Sequence, residues 1–451
     1  MTPAPTRQIT ADPARQLAAQ VVLAVEQQEA YSNLLLPRLL RERKLAPTDA
    51  AFATELTYGS LRWQGVLDAV IASAAGREVS ALEPGVRAAL RLGAYQLLHT
   101  RVPPHAAVST TVDLTKVIAG HRPAGLVNAV MRKVSQRDWT QWVAALAPAD
   151  PVGAVAFTHG YPTWVAAALL DALGGDMGEL ERAIAADRPS THLLARPSEM
   201  SRDELLRVAG EGATAGPFSP YAVHLAGGDP GRIAAVREGR ARVQDEGSQL
   251  VALALTRAAV EGSDRHWLDS CAGPGGKSSL LAALLPDGAS LLANELQVHR
   301  AALVRRGLSG TAARVVAADA TRPPWRSDFF DRVLADVPCS GLGALRRRPE
   351  VRWRRQPEDI ERIVPLQRAL LDSAASSARA GGLIAYVTCS PHRAETEEVV
   401  ASVVASRGDL EPIDARPLLH GVPELGSGPT VQLWPHRHGT DAMFLALLRR
   451  R

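Results

Sequence analysis

The chain has 451 residues, enough at roughly 150 per domain for two or three domains, each with a core of its own. Its 51 Lys and Arg against 47 Asp and Glu leave a net charge of +4, which permits a polyanionic partner without requiring one. Residues 1–9 lack an apolar secretory stretch and no apolar run approaches the roughly 18 residues of a membrane span, so a soluble, cytoplasmic protein with no membrane partner is expected. With three cysteines and no export signal, reduced thiols are expected rather than a disulfide framework.

After a polar, proline-containing lead (Met1 to Asp12), apolar residues recur at helical spacing as far as about Arg137, as in Leu17, Val21, Val22 and Val25 or Leu90, Leu92, Tyr95 and Leu97. Breaks fall at Pro47, Pro84, Pro103-Pro104 and Pro123, so residues 1–144 read as an all-helical domain. The Ala- and Pro-rich stretch from Ala145 to Pro151 reads as a linker. The linker and a small α+β subdomain together take residues 145–240, with helices at Trp164 to Leu173, Met177 to Ala185 and Arg202 to Ala209 and extended pieces at His192 to Ala195 and Ala222 to Leu225. Residues 241–451 then alternate apolar strands (Trp267 to Asp269, Leu291 to Asn294, Val315 to Ala317, Val333 to Ala335, Leu383 to Val387) with helices, the rhythm of a parallel sheet covered on both faces. Thr430 to Trp434 and Ala442 to Leu448 read as a terminal pair of strands, antiparallel to the rest.

Parallel strands deliver their last residues to one edge of the sheet, where ligands of open α/β folds bind. Here those ends are polar: Asp269 leading into Cys271-Ala272-Gly273-Pro274-Gly275-Gly276-Lys277, then Asn294-Glu295, Asp319 and Asp336. The glycine loop is not a triphosphate loop, because Cys271 stands where that pattern needs glycine five residues before Gly276. Nor is it a dinucleotide fingerprint, since Gly275 is followed two residues later by Lys277 and then Ser278. What remains is a compact loop with an acid, Glu295, suited to both hydroxyls of an adenosine ribose, and Asp319, suited to an adenine amino group. That combination favours a nucleoside cofactor such as S-adenosylmethionine.

The other two cysteines lie in Asp336-Val-Pro-Cys339 and Thr388-Cys389-Ser390, after neighbouring strands, so both thiols can face one pocket. A cytosine becomes nucleophilic at carbon 5 only after something adds at carbon 6, and a thiolate suits that addition. Asp336 can hold the ring at N3 and its amino group. The bland alternative is two buried strand-end cysteines. Zinc is disfavoured, since there is no Cys-x-x-Cys pair and the histidines are scattered, so no metal is expected. His392 reads as a loop histidine. The stretch Arg346-Arg347-Arg348-Pro-Glu-Val-Arg352-Trp353-Arg354-Arg355 puts guanidinium forks around an indole, a composition suited to RNA phosphates and bases, with a solvated loop as the alternative.

Taken together, Asp-Ser-Cys271-Ala-Gly-Pro-Gly-Gly-Lys277-Ser, Ala293-Asn-Glu295, Ala318-Asp319-Ala320, Asp336-Val-Pro-Cys339-Ser-Gly-Leu-Gly and Tyr386-Val-Thr-Cys389-Ser resemble the RNA cytosine-5 methyltransferases. The domain order is similar to their bacterial RsmB/Sun branch, which acts on 16S ribosomal RNA and carries a NusB-like helical front. Thr54-Glu-Leu-Thr-Tyr58-Gly-Ser-Leu-Arg62-Trp63, Leu90-Arg-Leu-Gly-Ala-Tyr95 and Val127-Asn-Ala-Val-Met-Arg132 carry the resemblance in that front. It implies a multidomain fold: a NusB-like all-α domain, a small α+β insert and a Rossmann-like class I methyltransferase domain. It further implies that S-adenosylmethionine is held by residues 271–277, Glu295, Asp319 and Asp336, that Cys389 is the nucleophile, and that Cys339 assists breakdown of the covalent adduct. Departures are Gly273 for a frequent alanine, Ser278 for threonine, Thr396 for asparagine in Glu-Asn-Glu, and Asp441-Ala442-Met443-Phe444 for Asp-Gly-Phe-Phe, the last able to alter the target-base pocket. Transfer RNA as substrate, and a non-catalytic RNA-binding assembly factor, are the competing readings; intact thiols and acids count against the second. The oligomeric state stays open.

Overall fold

The computed structural model describes residues 11–451, so the polar lead lies outside it as far as residue 10. The chain forms two compact units: residues up to Ala167 together with Arg347–Arg355, and Ala168–Arg346 together with Gln356–Arg451. No helix among the described residues is long and apolar enough to cross a membrane.

The first unit is helical. Prolines open Pro13–Gln28, Pro47–Arg62, Pro84–His99, Pro104–Ile118 and Pro151–His159, because the first turn has no use for the missing amide proton. The breaks read from the sequence are therefore helix starts. Asp12, Asp138 and Asp150 cap three N-termini through their carboxylates. Leu17, Val21, Leu56, Leu67, Ile71, Leu90, Leu92 and Met131 fill one apolar core.

The basic stretch is built into this unit. Glu350 accepts from the Ser32 amide (3.1 Å) and hydroxyl (2.6 Å) at the start of helix Ser32–Arg43. Arg354 donates to the Val25 carbonyl (2.6 Å), which helix Pro13–Gln28 leaves open at its C-terminus, and to the Ala30 carbonyl just beyond it (3.0 Å). Arg352 is wholly buried, its guanidinium 3.6 Å from the Tyr161 ring centre and 2.9 Å from the Gly160 carbonyl. The Trp353 indole donates to the Arg62 carbonyl (2.9 Å) and fills the space over Gly65, where a Cβ would sit 2.2 Å from the ring.

The second unit holds two sheets. The smaller is antiparallel, in the order β2-β3-β1-β4, with β1 Thr191–Ala195, β2 Thr214–Ala215, β3 Ala222–Leu225 and β4 Ala241–Val243. It corresponds to the expected insert, whose extended pieces are β1 and β3; β2 and β4 are too short to show a periodicity of their own. Leu193, Ala195, Leu205, Val223 and Leu225 form its own core, while Leu194 joins the apolar cluster of the larger sheet.

The larger sheet comprises β5 His266–Asp269, β6 Ser290–Asn294, β7 Ala313–Val316, β8 Phe330–Asp336, β9 Ala378–Thr388, β10 Leu410–Ile413, β11 Val431–Gln432 and β12 Phe444–Arg450. Its order is β10-β12-β9-β8-β5-β6-β7, with β11 paired to β12. Strands β5 to β9 run parallel, as expected, while β12 runs antiparallel between β9 and β10. The terminal pair is thus only partly a pair: β12 lies inside the sheet, and β10, which the sequence reading lacks, forms the edge. Leu383, Ala385 and Val387 pack on one face and Ile384 and Tyr386 on the other, so β9 is apolar on both sides.

Replacing Trp353 by alanine should destabilise the helical unit by about 3 kcal/mol, read as a lowered denaturant midpoint. Unchanged stability with weakened RNA binding would instead make the indole an RNA contact.

Candidate active site

Strand β5 ends at Asp269, whose carboxylate is fully buried and accepts from the Ser278 hydroxyl. Burial pushes this acid up to about 7, and Asp336 pushes the same way against the Ser278 bond. The loop that follows is closed by the Ala272 amide on the Asn294 carbonyl (2.7 Å) and the Gly275 amide on the Ala272 carbonyl (2.7 Å). Gly275, at φ +104°, turns the chain into helix Gly276–Ala283, whose first amides face the loop. Burial pushes the Cys271 thiol up to about 12, so this cysteine stays protonated and acts as a packing residue, partly buried against the sheet.

Glu295, 5% exposed at the end of β6, holds the Gln297 amide through Oε1 (3.0 Å) and faces Arg300 at 3.5 Å. A Cβ on Gly273 would meet Glu295 Oε2 at 1.9 Å, so the glycine standing for a frequent alanine brings loop and acid closer than a side chain allows here. Asp319 is exposed after β7 and is held below the usual carboxylate range by the hydroxyl and amide of Thr321. An open glycine loop, a buried acid turned to it and a second acid at the next strand end suit a nucleoside with a ribose diol and an exocyclic amine.

The second half of the site lies at the ends of β8 and β9. The Cys339 and Cys389 sulfurs are 3.3 Å apart. The hydrogen bond between them lowers the Cys389 thiol, against burial and Asp336 and with help from Lys277, and raises that of Cys339, in the same direction as burial and the Glu395 charge. Cys389 is therefore the sulfur poised to be a thiolate. Lys277, expected only to hold cofactor, ion-pairs with Asp336 (2.7 Å); burial opposes its charge, but Asp336, with Cys389 and Asp269, outweighs it and raises its pKa. The lysine thus links the glycine loop to the thiol pocket. His392 accepts the Ala394 amide (3.2 Å) and caps the turn Arg393–Glu395. Among the described residues no cluster of His, Cys, Asp or Glu could hold a metal ion.

The arginine expectation needs correcting where the structure spends the groups. Arg346 is 6% exposed, bonded to Asp441 (3.0 Å) and the Gly439 carbonyl (2.8 Å) and 3.8 Å from Asp245, so it lies between two buried carboxylates rather than toward solvent. Trp353 is committed to Arg62 and Gly65 as described above. Arg347 is half-buried; Arg348 is exposed, 6.0 Å from the Tyr31 ring centre. The Asp441 departure also has a place: the Ala442 carbonyl lies 2.3 Å from where a Gly343 Cβ would sit, and the Ala442 amide bonds the Gly343 carbonyl (3.0 Å). Sequence reasoning missed Asp245, Asp441 and Glu395 as buried partners; Asp441 and Glu395 stood in the departures noted from the sequence, but only the fold shows what they face.

The sheet order, the glycine loop and the acidic strand ends define an S-adenosylmethionine-dependent methyltransferase, preceded in the chain by a NusB-type helical domain. The comparisons agree. Residues 257–449 match the 16S rRNA methyltransferase RsmB/F family and residues 12–136 the NusB family. The Escherichia coli (strain 536) ribosomal RNA small subunit methyltransferase B is 31% identical over 443 residues, covering 96% of this chain and 98% of its own. A Mycobacterium tuberculosis (strain H37Rv) protein described as a methyltransferase, Rv1407, is 52% identical over 446 residues, 97% of each chain. Among solved structures, PH0851 aligns with a TM-score of 0.82 at 21% identity, over 98% of this chain and 100% of that one. NSun6 from Pyrococcus horikoshii, solved with SFG, aligns with a TM-score of 0.54 at 19% identity, over 64% and 98%. The chain belongs to the RsmB/F family of ribosomal RNA methyltransferases.

Glu295→Ala should weaken S-adenosylmethionine binding by about 1–3 kcal/mol, the loss when buried donors are deprived of a charged acceptor. Calorimetry showing unchanged affinity would remove Glu295 from the cofactor site.

Proposed function

We propose that this chain methylates carbon 5 of a cytosine in 16S ribosomal RNA, in the cytoplasm, through a covalent adduct on Cys389. The observation that carries the reading is the pair of sulfurs 3.3 Å apart beside the Lys277–Asp336 ion pair. One thiol suffices to add to a pyrimidine; a second in contact with it calls for a second role. The names of the relatives supply the RNA, since the Escherichia coli protein acts by name on the small ribosomal subunit RNA.

Residues 271–277, Glu295, Asp319 and Asp336 would hold S-adenosylmethionine, with Glu295 on the ribose diol and Asp319 on the adenine amine. When bound, the cofactor supplies an electrophilic methyl carbon for the activated base. Cys389 adds to carbon 6, forming a C–S bond and leaving the electron pair at carbon 5. Asp336, steadied by Lys277, accepts from the exocyclic amine and orients the ring. Once carbon 5 bears the methyl group its proton passes to water, the C–H electron pair restores the carbon 5–carbon 6 double bond, and the C–S bond breaks with its electron pair returning to sulfur. Cys339, kept as a neutral thiol, is the donor placed to stabilise that departing thiolate. Of the basic stretch, Arg347 and Arg348 are retained as RNA contacts, Arg348 beside Tyr31.

Cys339→Ala should therefore accumulate an enzyme–RNA species that survives denaturing electrophoresis and requires S-adenosylmethionine, while adding Cys389→Ala should abolish it. Accumulation in Cys389→Ala alone would reverse the two roles. Offering naked 16S ribosomal RNA, assembled small subunits and transfer RNA in parallel tests the substrate; methylation of transfer RNA alone would overturn it.

A further inference from the structure

The two thiols stand on different loops, and a 3.3 Å contact between loop residues persists only if both backbones are pinned. A carboxylate that the proposed chemistry does not use does this. Glu395 is fully buried, in the turn after Cys389. Its Oε1 accepts from the Ser340 amide (2.7 Å) and the Gln367 side-chain amide (3.0 Å). Its Oε2 accepts from the Ser390 hydroxyl (2.6 Å) and the Ser340 hydroxyl. Ser340 directly follows Cys339, and Ser390 directly follows Cys389.

The bracket extends beyond the carboxylate. The Gln367 amide also donates to the carbonyl of Pro338, the residue before Cys339 (3.0 Å), and the Tyr386 hydroxyl donates to the Glu395 carbonyl (2.7 Å). Residues on both sides of Cys339 thus depend on this group. The Cys389 turn has further holds, from the Thr388 hydroxyl on the Ser390 carbonyl (2.9 Å) and the Gly343 amide on the Cys389 carbonyl (2.9 Å). A buried carboxylate is costly unless donors surround it, and here four do. Such a group is strongly placed and holds its donors strongly in turn.

We propose that Glu395 is a positioning residue for the methyl-transfer reaction: its carboxylate locks the Cys339 turn against the Cys389 turn and so keeps the second thiol in contact with the first. Because the Cys339 side leans on it more heavily, losing Glu395 should impair release of the adduct more than its formation. This consequence rests on the proposed roles of the two thiols; the positioning does not.

The test measures position and chemistry separately on the full-length protein. Dibromobimane becomes fluorescent when both of its arms are taken by neighbouring thiols, and peptide mapping identifies the Cys339–Cys389 product. Wild type should cross-link, Glu395→Ala should cross-link roughly tenfold more slowly, and Glu395→Gln should recover most of the rate. The amide can still accept from the Ser340 amide and donate to the two hydroxyls. Glu395→Ala should also accumulate the S-adenosylmethionine-dependent RNA adduct although Cys339 is intact. An undiminished cross-linking rate in folded Glu395→Ala overturns the proposal. Should that variant fail to fold, Ser340→Ala, which removes one donor and leaves the carboxylate, decides: a slower rate supports the bracket and an unchanged rate overturns it. Slower cross-linking without adduct accumulation would uphold the positioning and refute the role assigned to Cys339.

Discussion

Strands β8 and β9 run parallel in the register Asp336 to Val387, and the rest of the site depends on that pairing. Parallel neighbours release their chains at the same edge and in the same direction, so Cys339, three residues past Asp336, and Cys389, two past Val387, emerge side by side. An antiparallel arrangement would put the two thiols at opposite ends of the sheet. The apolar residues on both faces of β9 hold that register, since a slip of one residue would exchange Tyr386 with Val387 across the sheet.

Their mutual hydrogen bond then differentiates two chemically identical side chains, lowering the Cys389 thiol and raising that of Cys339. Lys277 adds to the first effect, against Asp336, and Glu395 adds to the second. The acids are arranged with the same economy. Asp269 is buried and pushed toward neutrality, whereas Asp319 is exposed and held ionised. Lys277 is the link: it begins the helix after the glycine loop and ends against Asp336, so cofactor loop and thiol pocket share one ion pair.

Much of this was legible in the residues. The strand-helix alternation found all five parallel strands, though β8 and β9 begin three and five residues before their expected starts, and helices such as Met177–Ala185 and Arg202–Ala209 coincide with their expected spans. Strand β10 was not legible because Leu410–Ile413 contains a proline and exposes two of its four residues, leaving no alternation to see. The place of β12 between β9 and β10 is a matter of topology, which no local pattern encodes. The arginine stretch shows a different limit. Guanidinium forks suit any array of oxygen acceptors, and the same residues that fit phosphates fit the carbonyls at and just past the end of helix Pro13–Gln28 and the pair Asp245 and Asp441. Composition identified the chemistry of the donors but not their acceptors. Glu395 was hidden for a related reason: its partners are two serines more than fifty residues apart in one case and five in the other, brought together only by the sheet.

The most direct test is to identify the sulfur that bonds to the base. RNA carrying 5-fluorocytidine at the target position, incubated with the wild-type enzyme and S-adenosylmethionine, cannot lose its carbon 5 substituent as a proton and so retains the C–S bond. Digestion and mass spectrometry should find the nucleotide on the peptide bearing Cys389. A nucleotide on the peptide bearing Cys339, or no covalent product with RNA that is otherwise methylated, would contradict the account.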